Sequence, residues 1–187
     1  MRILIIGAGG VGSSAALIAA RRDFFEHIVV ADYDHQRATA LVARIGGPRF
    51  SAIQLDATDA QSVAQACREH RITHVLNVVD PRYVMSIFEG TFLAGADYLD
   101  TAMSLSSKHP DRPYELCGVK LGDDQFAFDQ AWQETGRLAL VGMGVEPGLA
   151  DVFARYAADH LFSEIDELGV RDAADIVVHG YDFAPSF

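Results

Sequence analysis

Three glycines close to the amino terminus have the spacing of a phosphate-binding turn. Gly7, Gly9 and Gly12 form the pattern G-x-G-x-x-G within GAGGVG, between an apolar run and a stretch of small residues. The first glycine of such a turn permits a tight bend, the second lets the backbone approach a pyrophosphate, and the third lets a strand and a helix pack closely. The N–H groups that begin the following helix, at Gly10 and Val11, would face the phosphates. The pattern predicts one half of a dinucleotide-binding site.

An acidic residue at a suitable distance strengthens this prediction. Asp32 ends the second apolar run, twenty residues after Gly12, where a carboxylate can accept hydrogen bonds from the ribose hydroxyls of an adenosine. Its charge would repel the 2′-phosphate of NADP, whereas Arg37 is close enough in the sequence to bind that phosphate. We therefore expect NAD as the cofactor and leave NADP open.

Further polar residues follow the ends of predicted strands. Asp56 and Ala57 come after the third strand, at the edge of the sheet where an adenine ring would lie, although a turn or a helix cap explains Asp56 equally well. Asn77 ends the fourth strand, where the nicotinamide half of a dinucleotide would run, and its amide could hold a ribose or a carboxamide. Asp80 precedes a proline, a pattern as typical of a simple turn as of a site.

An acid and a hydroxyl end the fifth predicted strand. Asp100 and Thr101 would face the same crevice, so Asp100 is a candidate general base and Thr101 a candidate substrate contact. An aspartate that caps the following segment is the commoner explanation of this pattern.

A second glycine-rich turn, GMGVEPG, occupies residues 142–148. It joins a predicted strand to a predicted helix, whose amino terminus could receive a substrate carboxylate. Glu146 is a candidate for proton transfer or for binding an amino group, and Pro147 and Gly148 are candidate substrate contacts. The alternative is a helix start with a purely structural role.

The elements that must position these residues alternate between strand and helix. Short β-branched runs separated by helical stretches are typical of parallel strands joined by crossover helices. We predict an α/β fold with a Rossmann-type doubly wound parallel sheet in the order 3-2-1-4-5-6, followed by the start of an α+β substrate domain. The predicted strands span residues 2–6, 27–32, 50–55, 73–79, 98–101, 137–145, 165–170 and 175–178. The predicted helices span residues 11–22, 35–45, 83–94, 124–136 and 147–162, with another beginning after Asp59, and residues 103–122 are expected to form a long loop.

Composition excludes several classes of protein. Fifteen Lys and Arg against 26 Asp and Glu give a formal net charge of −11, so the surface repels nucleic acid and anionic membranes. No apolar run is long enough to cross a bilayer. Cys67 and Cys117 fit neither a disulfide framework nor a zinc site, and the seven histidines have no metal-ligand spacing. We therefore predict a cytoplasmic protein without a bound metal.

Five segments together carry a resemblance to a known family: GAGGVG at 7–12, LDATD at 55–59, VLNVVDP at 75–81, YLDTA at 98–102 and GMGVEPGLAD at 142–151. In these segments the chain resembles the saccharopine dehydrogenase-like oxidoreductases, which include saccharopine, lysine and carboxynorspermidine dehydrogenases. The resemblance implies a nicotinamide-dependent hydride transfer at an amino-bearing carbon of an amino-acid-derived substrate such as saccharopine, and a place in lysine metabolism. Glu146 departs from the family pattern, which more often has Asp there, so the substrate stays open. The implied cofactor contacts are Gly7, Gly9, Gly12, Asp32 and Asp56, and the implied substrate contacts are Pro147 and Gly148.

Members of this family are considerably longer than this chain, which bears on its organisation. We expect residues 1–147 to form an NAD(P)-binding domain and residues 148–187 to begin an incomplete substrate domain. We also expect a small-molecule substrate and a homodimer. If the chain is complete, cofactor binding with little or no turnover is expected, because the groups that would close over the substrate are missing. An NAD(H)-sensing regulatory module and a pseudoenzyme without turnover are the alternative functions.

Overall fold

The computed structural model describes residues 1–171, in two compact units. The first unit comprises Met1–Leu149 and the second begins at Ala150. The strands are β1 (Arg2–Ile6), β2 (His27–Asp32), β3 (Phe50–Gln54), β4 (His74–Asn77), β5 (Asp97–Asp100) and β6 (Ala139–Leu140). The helices are α1 (Gly10–Ala19), α2 (His35–Ile45), α3 (Ala60–Glu69), α4 (Val84–Ala94), α5 (Asp123–Phe126), α6 (Asp129–Thr135) and α7 (Leu149–His160), and a 3-10 turn at Pro81–Tyr83 leads into α4.

The six strands form one parallel sheet in the order β3-β2-β1-β4-β5-β6, which confirms the predicted topology. The register aligns the carboxyl ends of the central strands. Ile6 lies between Ala31 and Asn77, and Asn77 lies beside Asp100. Ligands of open parallel sheets bind at this edge, where the strand order reverses between β1 and β4.

Apolar side chains cover both faces of the sheet, as expected for parallel strands. On one face Ile5 and Val30 pack with Ala16 of α1 and Leu41 of α2. On the other face the residues of β1, β4 and β5 pack with α3, α4 and Trp132 of α6. Each fully buried aliphatic or aromatic side chain contributes on the order of 1.5–3 kcal/mol, and these two clusters hold the carboxyl edge of the sheet in place.

Three predicted elements differ from the structure by more than the position of their ends. The predicted strand 137–145 has only the two residues of β6, because Gly142 has a φ of +70° and the backbone there turns away from the sheet. The predicted helix 124–136 is two helices, α5 and α6. The prediction of a strand at residues 165–170 is wrong: Ile165, Leu168 and Val170 are exposed, and no described segment pairs with them. The predicted strand 175–178 lies outside the described residues.

The predicted long loop is present between β5 and α5. A single antiparallel bridge between Ser107 and Val119 closes it on itself. A Cβ atom at Gly118 would lie 2.1 Å from the Ser107 carbonyl oxygen, so only glycine fits this bridge. Within residues 1–171, no helix is long and apolar enough to cross a membrane.

Candidate cofactor site

The glycine turn between β1 and α1 is built on close backbone contacts. Gly7 has a φ of +108°, and a Cβ atom there would lie 2.8 Å from Val79 Cγ1. A Cβ atom at Gly12 would lie 1.8 Å from the Gly7 carbonyl oxygen, which only glycine avoids. Gly9 differs from both, because a Cβ atom at that position would meet nothing within 4 Å. Gly7 and Gly12 therefore shape the turn, whereas Gly9 faces open space.

The amino terminus of α1 is free to bind an anion. Its N-cap is Gly9, no side chain caps the helix, and its first turn carries no acidic residue. The first intrahelical N–H bond runs from Ser13 to the Gly9 carbonyl oxygen at 2.9 Å. Unbonded N–H groups and the helix dipole make such an end a phosphate site, which fits the predicted roles of Gly9, Gly10 and Val11.

Asp32 connects the glycine turn to the beginning of α2. Its carboxylate is buried, and Oδ2 accepts a hydrogen bond from the Ala8 N–H at 2.7 Å while Oδ1 accepts one from the Asp34 N–H at 2.9 Å. Nη1 of Arg37 lies 3.5 Å from Oδ1. Each carboxylate oxygen has a further lone pair for a ribose hydroxyl, so Asp32 can fix the turn and bind a nucleoside at once.

A cavity of about 380 Å³ opens beside this carboxylate. Tyr33 and Arg37, which follow β2, form one wall, and Asp56 and Thr58, which follow β3, form another. Its volume lies in the range of small-molecule sites. Ile6, Gly7, Asp32, Leu55, Ala57, Val79 and Tyr83 complete the lining. The structure thus brings the predicted residues Gly7, Asp32, Asp56 and Ala57 to a single cavity at the carboxyl edge.

Asp56 is both a turn residue and a residue of the cavity wall. Its Oδ1 accepts hydrogen bonds from the Thr58 N–H at 3.0 Å and from the Thr58 hydroxyl at 2.7 Å. The hydroxyl bond, more than any other contact, lowers the pKa of the Asp56 carboxyl. The Ala57 carbonyl oxygen accepts a hydrogen bond from the Ser86 hydroxyl, which ties this wall to α4.

The second group of predicted residues, at the ends of β4 and β5, is buried. Asn77 is 1% exposed and Asp100 is fully buried. Both bond to Tyr98: the Asn77 amide donates to the Tyr98 oxygen at 2.9 Å, and the Tyr98 hydroxyl donates to Asp100 Oδ2 at 2.8 Å. Burial raises the pKa of the Asp100 carboxyl, and hydrogen bonds from Gln125, Gly142 and Tyr98 act in the opposite direction.

The second glycine-rich turn lies against the end of β5. A Cβ atom at Gly144 would lie 2.3 Å from the Thr101 carbonyl oxygen, so Thr101 and this turn are adjacent. Gly148 has a φ of +128°, and the peptide bond between Glu146 and Pro147 is cis. Glu146 is exposed and Gly148 is buried. Helix α7 begins at Leu149, so Pro147 precedes the helix and does not occupy its first turn.

Sequence reasoning missed several residues of this edge. Tyr98 carried a detectable signal, because the alternation of a strand places it on the same face as Asp100. Tyr33 directly follows Asp32 and could have been found from that position. Gln125, which lies 25 residues after Asp100, and Tyr83 gave no local signal. Among the described residues, no group of three or more His, Cys, Asp or Glu could hold a metal ion.

A glycine turn, a free helix amino terminus and an acid at the end of β2 define this unit as a dinucleotide-binding α/β domain. The family model described as the saccharopine dehydrogenase NADP binding domain matches residues 3–140. The chain therefore belongs to that family, as the sequence motifs indicated, and its cofactor is a nicotinamide dinucleotide, NAD or NADP.

Curated relatives match the whole chain. It is 31% identical to the carboxyaminopropylagmatine dehydrogenase of Synechocystis sp. and 34% identical to the carboxynorspermidine synthase of Vibrio cholerae. These matches cover 44% and 46% of the two proteins, so the chain spans about half the length of the curated relatives it matches.

Solved structures support the fold. The apo saccharopine dehydrogenase (L-Glu forming) of Saccharomyces cerevisiae matches with a TM-score of 0.64 at 18% identity, over 86% of this chain and 31% of that one. A short chain dehydrogenase of Mycobacterium smegmatis matches with a TM-score of 0.54 at 16% identity, over 92% of this chain and 93% of that one. At these identities the likeness concerns the architecture of the sheet and helices.

Proposed function

We propose that this chain is the cofactor-binding part of an NADP-dependent oxidoreductase that transfers hydride at an amino-bearing carbon. The observation that carries the proposal is the uncapped amino terminus of α1 beside the cavity that Asp32 and Arg37 line. The names of the two curated relatives point to polyamine derivatives that carry a carboxyl group. We therefore propose this substrate class in place of saccharopine.

The residues present fit a nicotinamide dinucleotide. The N–H groups of Gly10 and Val11 would hold the pyrophosphate, with Gly9 leaving room for it. Asp32 would accept hydrogen bonds from the adenosine ribose, and Asp56 and Ala57 would border the adenine. Asn77, which ends β4, would lie on the nicotinamide side of the switch point. When bound, the nicotinamide ring supplies or accepts the hydride.

The position of Arg37 favours NADP over NAD. Sequence reasoning preferred NAD because the charge of Asp32 repels a 2′-phosphate. In the structure, however, the Arg37 guanidinium lies 3.5 Å from that carboxylate, and two backbone N–H groups already bond to it. The cation offsets the repulsion and offers the phosphate a charged partner with several N–H donors.

Substrate residues are proposed from the turn at residues 142–148 and from its neighbour Thr101. Glu146 is exposed, so its carboxylate can bind a substrate amino group or accept a proton from it. Thr101, Pro147 and Gly148 are proposed contacts beside it. Asp100 was predicted as a general base, but its burial and its three donors favour a positioning role.

A calorimetric titration of NADPH and NADH into three forms of the chain tests the cofactor site. A Cβ atom at Gly9 meets no protein atom within 4 Å, so Gly9→Ala should fold normally while its methyl group occupies the space of the pyrophosphate. Gly169→Ala makes the same chemical change in open space of the second unit and serves as the control.

We expect the wild-type chain and Gly169→Ala to bind NADPH with the same affinity, and Gly9→Ala to lose at least about tenfold, or 1.4 kcal/mol. Equal binding of NADPH to all three forms would show that the glycine turn does not contact the cofactor. If the wild-type chain bound neither nucleotide, the proposed function would be rejected.

A further inference from the structure

A chain of buried hydrogen bonds connects three separate segments at the carboxyl edge of the sheet. Its four side chains, Asn77, Tyr98, Asp100 and Gln125, are each at most 3% exposed. They join the end of β4, the beginning of the loop at residues 103–122 and the turn at residues 142–148. Buried polar groups cost free energy unless they are paired. The backbone N–H groups at the ends of this hydrogen-bond network can only donate, so they fix the direction of every bond between them.

The first arm runs from β4 to Asp100. The Val79 N–H donates to Asn77 Oδ1 at 3.2 Å, which orients the amide so that its nitrogen faces Tyr98. That nitrogen donates to the Tyr98 oxygen at 2.9 Å. The single proton of the Tyr98 hydroxyl is therefore directed to Asp100 Oδ2, at 2.8 Å.

The second arm comes from the long loop and the third from the glycine-rich turn. The Ser104 N–H donates to Gln125 Oε1 at 2.8 Å, so the Gln125 nitrogen donates to Asp100 Oδ2, also at 2.8 Å. The Gly142 N–H donates to Asp100 Oδ1 at 2.7 Å, and the Met143 N–H donates to the Asp100 carbonyl oxygen at 2.9 Å.

Each of the three arms donates a hydrogen bond to the Asp100 carboxylate, so both of its oxygens act as acceptors. This pattern matches an ionised carboxylate, which has acceptor sites and no proton to donate. No Lys, Arg or His within residues 1–171 forms an ion pair with Asp100. Hydrogen bonds alone therefore stabilise the buried charge. Removing any one donor leaves a carboxylate oxygen with one hydrogen bond fewer.

We propose that Asp100 is a positioning residue for the nicotinamide half of the cofactor site. Its carboxylate fixes the turn at residues 142–148 and the loop at Ser104 relative to the end of β4, and Tyr98 and Gln125 transmit this constraint. The inference rests on the proposed function, because it assumes that a nicotinamide dinucleotide crosses the switch point between β1 and β4.

The adenosine half should not depend on this network. The cavity beside Asp32 is lined by the last residues of β1 and β2 and by residues that follow β1, β2, β3 and β4, and none of Asn77, Tyr98, Asp100 or Gln125 belongs to its lining. A ligand confined to the adenosine half therefore serves as an internal reference. The compound 2′,5′-ADP is such a ligand, because it carries the adenosine and its 2′-phosphate without the nicotinamide.

The test compares the affinities of 2′,5′-ADP and NADPH for the wild-type chain and for Asp100→Asn, by calorimetry. The asparagine replaces an acceptor oxygen with an NH₂ donor that opposes the existing donors. We expect NADPH to bind about tenfold more weakly and 2′,5′-ADP to bind within about twofold of wild type, as for the loss of one hydrogen bond to a charged group. A role in folding alone would lower the Tm without changing the ratio of the two affinities.

Two further variants keep the test decisive if Asp100→Asn does not fold. Tyr98→Phe removes one donor and Gln125→Met removes another while keeping a similar side-chain volume. We expect each variant to weaken NADPH binding about threefold more than it weakens 2′,5′-ADP binding. An unchanged ratio of affinities in every folded variant would overturn the inference and leave the proposed function intact. If the wild-type chain bound neither compound, the proposed function itself would fail.

Discussion

The two oxygens of the Asp32 carboxylate stabilise the local fold, and Asp32 also lines the cavity of the candidate site. They accept hydrogen bonds from the Ala8 and Asp34 N–H groups, which hold the glycine turn and the beginning of α2 in place. Sequence spacing predicts Asp32 as a cofactor contact, and the residue lines the cavity, but spacing could not show that Arg37 lies 3.5 Å from its carboxylate. We propose that the choice between NAD and NADP depends on this contact between two side chains.

Replacing Arg37 should change the preference between the two cofactors. We expect Arg37→Ala to lower the affinity for NADPH about tenfold and to leave the affinity for NADH within about twofold, because only NADPH carries the 2′-phosphate. Arg44→Ala removes the same charge from the exposed last turn of α2 and is the matched control. A parallel loss of both nucleotides in Arg37→Ala would contradict this role.

The two cysteines should react very differently with a thiol reagent. Cys67 is 1% exposed, and burial raises the pKa of its thiol to about 12, whereas Cys117 is exposed. Because the thiolate is the reactive form, we expect one fast thiol in the native chain at pH 8 and two after denaturation. Cys117→Ser should show none when native and one when denatured. A fast second thiol in the native chain would show that the α3 core opens.

At the scale of secondary structure, the elements that begin and end with strong local signals were predicted best. Helix α2 has the predicted bounds, because Asp34 caps it with bonds to two N–H groups and Gly46, with a φ of +72°, ends it. Strand β6 was predicted too long because the backbone turns at Gly142, whose N–H donates to Asp100, a residue distant in the sequence. The strand predicted at residues 165–170 has suitable residues but lacks a partner, which local patterns cannot reveal.

The residues of the candidate site also divide into those with a strong local signal in the sequence and those without one. The glycines were predictable because one short segment of strand, turn and helix contains their geometry, and Asp32 was predictable because it ends the next strand, twenty residues after Gly12. The network around Asp100 was not, since it joins β4, β5, α5 and the turn at residues 142–148, and Gln125 has no local feature that identifies it.

Helix α3 offers a test of capping and pH dependence. Asp59 accepts hydrogen bonds from the Gln61 N–H and from both the N–H and the hydroxyl of Ser62, and the bond from the hydroxyl is the largest cause of its lowered pKa. A carboxyl with a lowered pKa contributes stability above its ordinary pKa of about 3.9, and loses it as the pH falls through the folded-state value.

We therefore expect Asp59→Ala to lower the Tm at neutral pH and to differ less from wild type as the pH falls below the ordinary aspartate pKa of about 3.9 and through the lower folded-state pKa. Thermal unfolding followed by circular dichroism measures both. Asp59→Asn keeps an acceptor oxygen without a titrating charge, so its Tm should stay closer to wild type at neutral pH. A Tm difference for Asp59→Ala that grows on acidification would contradict the assigned cap.

At the scale of the whole chain, the first compact unit contains every residue of the cavity. The unit comprises Met1–Leu149, and the lining residues lie between Ile6 and Tyr83. We propose that this unit is the cofactor-binding domain, close to the predicted boundary at residue 147. A chain that ends at residue 149 should keep a cooperative unfolding transition and bind NADPH within about twofold of the 187-residue chain, as calorimetry would measure. Loss of binding in a folded chain of this length would show that later residues contribute to the site.

A crystal structure of the chain with NADPH would test the proposed cofactor site directly. We predict the pyrophosphate against the N–H groups of Gly10 and Val11, the adenosine in the cavity beside Asp32, and the 2′-phosphate on Arg37. We also predict the nicotinamide beyond the end of β4. A dinucleotide bound elsewhere, or one whose pyrophosphate does not contact the amino terminus of α1, would show that the proposed cofactor site is wrong.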